Sequence, residues 1–171
     1  FTLSKPGFIN SDIFRLYLKP IIGEIKIKDL KKELIINATD LIQGETFVFS
    51  GDDYLLDAII ASCSVPGLAS PFKKDELLLS DGGILNNFPT NLIKEKCDKI
   101  IGVYVAPLQD VKNNQLNSIK AVATRAYELL SYSVENYKFK DCDWFISPKE
   151  LSNYGIKKKK KTRMDELFQL G

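Results

Sequence analysis

The sequence of 171 residues contains no histidine, the residue that most often serves as a general base or a zinc ligand. A Ser-His-Asp triad therefore cannot be assembled from this chain alone. Only three cysteines are present, at positions 63, 97 and 142, and none belongs to a Cys-x-x-Cys pair. We therefore expect free thiols rather than a disulfide framework, and we expect no metal site and no cofactor.

Other features that are missing exclude further classes of protein. No apolar run approaches the ~18 residues of a membrane-spanning helix, and the first residues do not have the pattern of a signal peptide. Neither a Gly-x-Gly-x-x-Gly motif nor a Walker-type phosphate loop is present, which argues against nucleotide binding. A net charge of +2 is too small to indicate a nucleic-acid partner. We expect a cytoplasmic or peripheral membrane protein without a nucleic-acid partner, and the oligomeric state stays open.

Segments typical of strands and helices alternate along most of the chain. We predict strands at 34–41, 46–49, 77–80, 99–106 and 144–146, and helices at 13–18, 54–63, 87–96 and 119–133. The nearly continuous apolar run at 99–106 has the form of a parallel strand that is covered on both faces. This order predicts an α/β fold with a mainly parallel sheet flanked by helices, in a single domain that spans 1–171, with one antiparallel hairpin at Gly44.

The most informative stretch is 77–89, where a short apolar run leads into Asp81, Gly82 and Gly83. The run predicts a buried strand, and the two glycines permit a sharp turn because they adopt backbone angles that other residues avoid. Asn-Phe-Pro at 87–89 then predicts the start of a helix. Asp81 is thus expected at the carboxyl end of a strand, where open α/β sheets place their sites. An aspartate that only supports a tight turn is an equally good interpretation.

Two further motifs do not supply the rest of a site. Ser62 and Ser64 lie in Ala-Ser-Cys-Ser-Val, which lacks the flanking glycines of a strained nucleophile elbow. Asn37-Ala38-Thr39 matches an N-glycosylation acceptor, but we expect this segment inside a strand and therefore unmodified. The residues alone thus indicate a base without a nucleophile.

Several separated motifs resemble, in the same order, the segments of the patatin-like phospholipases. They are Ala38-Thr39-Asp40-Leu41 with Gly44-Glu45, Ala61-Ser62 with Val65-Pro66, Asp81-Gly82-Gly83 with Asn86-Asn87-Phe88-Pro89, and Ile101-Gly102-Val103. The resemblance extends over about residues 7–110, and the tail, with Asp165-Glu166-Leu167, is similar to the end of bacterial members. It implies a three-layer α/β fold that is incomplete at its N-terminal side, since the family's Gly-rich oxyanion loop and nucleophile elbow precede the part present here.

The resemblance also implies a function, that of a lipid acyl hydrolase of the phospholipase A or lysophospholipase type. Such enzymes use a Ser-Asp dyad, and Asp81 matches the position of its base, with Gly82 and Gly83 as the turn that follows. The nucleophilic serine is expected upstream of this chain, so the fragment alone is expected to be inactive. The implied substrate is a lipid ester, such as phospholipid at a membrane surface.

Two alternatives stay open beside the hydrolase. One is a catalytically inactive patatin-like module that binds a lipid surface or a protein partner. The other is a transacylase, which forms the same acyl-serine and passes the acyl group to an acceptor other than water.

A basic cluster near the C-terminus has six positive charges in seven residues: Lys157, Lys158, Lys159, Lys160, Lys161 and Arg163. Such a run is most often a solvated surface. The functional alternative is contact with anionic phospholipid headgroups, to which each basic residue near the surface contributes ~1 kcal/mol. No aromatic residues interleave with the lysines, which disfavours binding of single-stranded nucleic acid.

Overall fold

The computed structural model describes residue 7 and residues 10–108, 110–148, 150–151 and 168–169. These residues form two compact units, one up to Leu92 and the other from Ile93 onwards. The single domain over 1–171 therefore stays a prediction. The basic cluster at 157–163 lies outside the described residues, and so does Thr162, which with Asp165 resembles a capping box and predicts the start of a terminal helix.

The first unit is built on a four-stranded sheet with the order β2-β1-β4-β3. Its helices and strands are α1 (Ser11–Ile22), β1 (Ile36–Asp40), β2 (Glu45–Phe49), α2 (Leu55–Ser62), β3 (Phe72–Lys74) and β4 (Leu77–Asp81). Short 3-10 helices lie at Ile27–Asp29, Gly82–Ile84 and Thr90–Leu92. The predicted helix at 87–96 is therefore reduced to its middle turn.

All three strand pairs of this sheet are antiparallel, so the α/β class is confirmed but the mainly parallel, three-layer arrangement is not. For the pairs β1–β2 and β3–β4, the cause is the length of the connections. A turn containing Gly44 (φ +70°) joins β1 to β2, and a turn at Asp75 (φ +51°) joins β3 to β4. Connections this short can join only antiparallel strands, because a parallel crossover needs about a dozen residues. The charged run at 73–76 predicts a turn, but its first two residues belong to β3, and only Asp75 and Glu76 lie between the two strands.

The core of the first unit lies between one face of the sheet and the helix α2. Its buried members are Ile27, Ala38, Phe49, Ala58, Ala61 and Leu79. Alanine on both sides lets the helix approach the sheet closely, and each buried large aliphatic or aromatic side chain contributes about 1.5–3 kcal/mol. The prediction of a buried helix at 54–63 is confirmed, since α2 buries four of its residues.

Pro20 and Gly23 both predict an end to the first helix, and α1 continues through Pro20. It ends at Gly23, which has a φ of +71° and donates its N–H to the carbonyl of Lys19 at 2.8 Å. A glycine in the left-handed region is a common helix terminator, and here it sets the boundary that proline did not.

The second unit contains β5 (Ile101–Val103), α3 (Ile119–Glu135) and β6 (Trp144–Ile146). β5 and β6 form a two-stranded parallel sheet, so the predicted strand at 144–146 is confirmed and the predicted strand at 99–106 is shorter than expected. Apolar residues recur along α3 at spacings of three and four, which predicts a stripe that lies in the core, yet Ile119 is 91% exposed and Val122 is 51% exposed. Within the part of the chain that the structure describes, no helix is long and apolar enough to cross a membrane.

Candidate active site

Asp81 is the last residue of β4, and a 3-10 helix at Gly82–Ile84 follows it directly. The neighbouring strand β1 pairs with β4 so that Ala38 lies opposite Asp81. Directly opposed residues of antiparallel strands project from the same face. The carboxyl of Asp81 therefore projects from the face that packs against α2, at the carboxyl end of its strand.

One oxygen of the Asp81 carboxyl is held by the turn that follows. Its Oδ1 accepts a hydrogen bond from the backbone N–H of Gly83 at 2.7 Å, which also caps the 3-10 helix. The second oxygen, Oδ2, accepts no hydrogen bond from the described residues. The aspartate thus supports a tight turn and still offers one carboxylate oxygen to a further partner, so the two interpretations of Asp81 are compatible.

Burial gives the carboxyl of Asp81 its unusual basicity. The loss of solvent around it raises its pKa above the ordinary value, and the hydrogen bond from Gly83 offsets part of that rise. Partial burial, and then the negative charge of Asp81, raise the pKa of the Cys63 thiol at the end of α2. A carboxylate with a raised pKa is a better proton acceptor near neutral pH than an ordinary aspartate.

The backbone of Asp81 is anchored on both sides. Its N–H donates to the carbonyl of Ser64 at 3.0 Å, and its carbonyl accepts from the hydroxyl of Thr39 at 3.0 Å. Ser80 donates its hydroxyl to the same Ser64 carbonyl at 2.6 Å. These three bonds fix the peptide units on which the direction of the Asp81 side chain depends.

Ser64 itself has a structural role. It is fully buried, and its hydroxyl donates to the carbonyl of Ile60 at 2.7 Å, one turn earlier in α2. A hydroxyl committed to the backbone in this way is not an exposed nucleophile. This arrangement agrees with the missing glycines around Ser64 in the sequence.

Gly82 and Gly83 are needed for space, and not for the unusual backbone angles that the sequence led us to expect. Neither glycine is among those with positive φ. A Cβ atom on Gly82 would lie 2.5 Å from the backbone oxygen of Asn37, and one on Gly83 would lie 2.9 Å from Oδ1 of Asn87. The first contact is with backbone and cannot be relieved by a side-chain movement, so β1 and the turn can approach this closely only with glycine at position 82.

Asn37, like Thr39, is a residue of this site that we did not predict from the sequence. It is 8% exposed, and its side-chain amide donates to the carbonyl of Asn86 at 3.0 Å and to the carbonyl of Gly82 at 3.4 Å. Two polar residues that flank Ala38 in a predicted strand were the available signal, since a buried polar side chain needs a partner.

The structure thus brings together Asp81, Gly82 and Gly83, with Asn37 and Thr39 from the neighbouring strand. The predicted membrane contact, the basic cluster at 157–163, lies in a part of the sequence that the structure does not describe. Among the residues that it does describe, no three histidine, cysteine, aspartate or glutamate side chains form a group that could hold a metal ion.

Comparison with known proteins identifies the family. The model of the family described as patatin-like phospholipase matches residues 2–93, more than half of the chain and all of the Asp81 turn. An uncharacterized NTE family protein of Mycobacterium tuberculosis is 34% identical over 89 residues, which are 52% of this chain and 24% of that protein.

A second uncharacterized NTE family protein of the same organism is 35% identical over 71 residues, or 42% of this chain and 12% of its own length. Counterparts in Mycobacterium bovis match equally well. The matched region therefore spans about a quarter or less of the length of these relatives. The extent of the family match shows that the chain belongs to the patatin-like phospholipase family.

Proposed function

We propose that this chain is the aspartate-bearing part of a lipid acyl hydrolase, an esterase of the phospholipase A or lysophospholipase type. In this proposal Asp81 is the base of a Ser-Asp dyad, and the turn at Gly82 and Gly83 holds it in place. The chain has no Gly-x-Ser-x-Gly sequence, and it matches only a fraction of its relatives' length. The nucleophilic serine and the oxyanion donors are therefore proposed to lie N-terminal to this chain.

The observation that supports this role most directly is the geometry of the Asp81 carboxyl. Oδ1 is held at 2.7 Å by the N–H of Gly83, while Oδ2 has no donor among the described residues. A dyad requires a carboxylate that is oriented on one side and open on the other, since the open oxygen accepts the serine proton. Partial burial adds the second requirement, because it raises the pKa of this carboxyl.

The acylation step follows from this arrangement. The serine hydroxyl donates to Oδ2 of Asp81, which takes the proton as the serine oxygen attacks the ester carbonyl carbon. Negative charge then develops on the former carbonyl oxygen, where backbone N–H donors stabilise it. When the tetrahedral intermediate collapses, the bond to the alcohol breaks, and Asp81 returns the proton to the leaving alkoxide.

Deacylation uses the same carboxylate a second time. Asp81 removes a proton from a water molecule, whose oxygen attacks the acyl-serine carbonyl, and it then returns the proton to the serine oxygen as the fatty acid is released. No imidazole takes part, which agrees with a chain that contains no histidine. A transacylase would follow the same steps, except that the hydroxyl group of an acceptor molecule would attack the acyl-serine in place of water.

The experiment that tests the proposal is hydrolysis of lysophosphatidylcholine by the full-length gene product and by its Asp81→Asn variant. Asparagine keeps an oxygen for the N–H of Gly83 but cannot accept a proton, so turnover should fall by about 10²–10⁴-fold while the far-UV circular dichroism spectrum stays the same. Asp75→Asn is the matched control, because Asp75 lies on the exposed β3–β4 turn with a φ of +51°, which asparagine tolerates well.

Two results would contradict the proposal. Undiminished turnover in Asp81→Asn would show that another group is the base. If the folded wild-type protein binds phospholipid vesicles but releases no fatty acid from any lipid ester, the inactive lipid-binding module becomes the better account.

A further inference from the structure

Strand β1 presents two buried polar side chains, Asn37 and Thr39, to the backbone around Asp81. They are 8% and 3% exposed, and neither takes part in the chemical steps proposed above. Burying a polar side chain is costly unless it forms hydrogen bonds, so both side chains need a reason to be there. We propose that Asn37 and Thr39 are positioning residues that hold the Asp81 carboxyl in the orientation for proton transfer, an inference that rests on the proposed function.

Asn37 acts on the turn that follows Asp81. Its amide nitrogen lies 3.0 Å from the carbonyl oxygen of Asn86 and 3.4 Å from that of Gly82, so one side chain contacts both ends of the turn. The carbonyl of Gly82 also accepts the N–H of Asn86 at 2.9 Å, which closes the turn. Between these ends lies Gly83, whose N–H holds Oδ1 of Asp81.

An asparagine suits this position because its amide supplies two N–H donors without a charge. Aspartate at the same place would present only acceptors to two carbonyl oxygens, and leucine would leave both carbonyls without this donor. The space beside the turn is equally restricted, since a Cβ on Gly82 would lie 2.6 Å from Nδ2 of Asn37. The hydrogen bonds favour asparagine at position 37, and the close approach of its side chain favours glycine at position 82.

Thr39 acts on the peptide of Asp81 itself. Its hydroxyl donates to the Asp81 carbonyl at 3.0 Å, while the Asp81 N–H donates to Ser64 at 3.0 Å from the other side. Together these bonds fix the direction in which the side chain leaves the backbone. A misplacement of about 1 Å in a catalytic group costs about 10²-fold in rate. Loss of either positioning residue should therefore lower kcat with little change in KM.

A second consequence concerns pH. The Gly83 N–H lowers the pKa of Asp81 against the effect of burial, so a loosened turn weakens that bond and raises the pKa. Because the base must be deprotonated, the acidic limb of the rate profile should move to higher pH. The other ionisable groups on the neighbouring elements are Asp40 of β1, Asp57 of α2 with Cys63 at its end, and Lys73 and Lys74 of β3, and the substitutions below leave all of them in place.

The test compares kcat, KM and the pH profile of p-nitrophenyl butyrate hydrolysis by the full-length gene product and its variants. In Asn37→Leu we expect kcat to fall by about 100-fold, with KM unchanged and the acidic limb at higher pH. Thr39→Val should show a smaller loss in the same direction, and Thr39→Ser, which keeps the hydroxyl, should restore the rate. Thr46→Val is the matched control, since Thr46 lies directly opposite Thr39 on β2 and is exposed.

The outcomes separate this inference from the proposed function. If Asp81→Asn is inactive while Asn37→Leu and Thr39→Val keep the wild-type kcat and pH profile, the positioning role is wrong and the catalytic role of Asp81 stands. If Asp81→Asn is active, the proposed function fails and the inference fails with it. Should Asn37→Leu not fold, the comparison of Thr39→Val with Thr39→Ser decides the question.

Discussion

Strands β1 and β4 of the first unit are held differently from strands β5 and β6 of the second. Around Asp81, buried polar side chains bond to specific backbone carbonyls, as Thr39 does to Asp81 and Ser80 does to Ser64. On the β5–β6 pair, apolar side chains are exposed on one face: Ile101 is 62% exposed and Trp144 is 63% exposed, and the two lie opposite each other.

The contact on the other side of the β5–β6 pair is aromatic. Phe139 stacks on Phe145 with ring centroids 4.5 Å apart and contacts Tyr104 at 4.9 Å. Apolar and aromatic packing stabilises the fold but depends weakly on direction. Hydrogen bonds to fixed carbonyls, in contrast, specify the positions of single atoms. The side chains and backbone groups whose positions are fixed by hydrogen bonds therefore lie around the candidate base, Asp81. This region is within the residues that the family match covers.

The largest effect on stability is expected in the second unit, at its buried ion pair. Glu135 and Lys138 are 2.9 Å apart, with side chains 2% and 6% exposed. Glu135→Gln removes the carboxylate charge that faces the buried ammonium, so the free energy of unfolding should fall by about 3 kcal/mol. Urea denaturation followed by tryptophan fluorescence measures it, because Trp144 is the only tryptophan and lies in this unit.

The control for that variant is Glu128→Gln in the same helix. Glu128 pairs with Arg125 three residues earlier, but its side chain is 40% exposed. An exposed pair of this kind contributes about 0.3–0.5 kcal/mol. Equal losses in the two variants would contradict the account of the second unit.

The next effect belongs to the first unit and tests how closely β1 approaches the Asp81 turn. Gly82→Ala places a methyl group against the backbone of Asn37, so we expect a loss of about 1–3 kcal/mol in unfolding free energy. Gly83→Ala meets only side-chain atoms, at 2.9 Å and 3.0 Å, which can move. Its loss should be the smaller of the two, and thermal unfolding of both variants checks the order.

The third prediction concerns the pH dependence of stability. Burial raises the pKa of Asp81 in the folded chain above its unfolded value, so the folded state binds the proton more tightly. This carboxyl therefore lowers stability as pH rises through that interval. Asp81→Asn keeps the acceptor for Gly83 without the charge, so it should melt above the wild type at neutral pH. The difference in Tm should shrink as the pH is lowered; a difference that grows on acidification would contradict the burial of the carboxyl.

The smallest effect is on the chemistry of Cys63. Because partial burial and the charge of Asp81 raise the pKa of this thiol, little of it is thiolate at neutral pH. Asp81→Asn removes one of these causes, so alkylation of Cys63 by iodoacetamide should become faster. Cys142 serves as an internal reference, since its pKa is raised by burial and by its own neighbours Asp141 and Asp143. Peptide mass spectrometry measures both rates in one sample.

The parts of the fold that the sequence predicted are those with a strong local pattern. The apolar run before Asp81 predicted β4, the nearly all-apolar segment predicted α2, and Trp144–Ile146 was found as β6. The predicted hairpin at Gly44 is present as β1–β2, but the mainly parallel sheet was not confirmed, because hydrophobic runs carry no information about which strand lies beside which. The turn residues Gly44 and Asp75 each indicate a short connection between antiparallel strands. We predicted a hairpin only at Gly44.

The site could be predicted in part for the same reason. An aspartate after a strand and before two glycines is a local signal, and Asp81 lies where that signal indicates. Asn37 is separated from Gly82 by 45 residues in the sequence. The contact of Asn37 with the turn depends on the pairing of β1 with β4, so no local sequence pattern predicts this contact. The need for glycine at position 82 likewise comes from the neighbouring strand.

The most direct test of the central claim is labelling of the full-length gene product with a fluorophosphonate, followed by intact-mass and peptide mass spectrometry. The account predicts one covalent adduct on a serine outside these 171 residues, formed by the wild type and by Asp75→Asn and much more slowly by Asp81→Asn. A folded wild-type protein that takes up no adduct would contradict it. Labelling at the same rate in Asp81→Asn would equally contradict the role of Asp81 as the base.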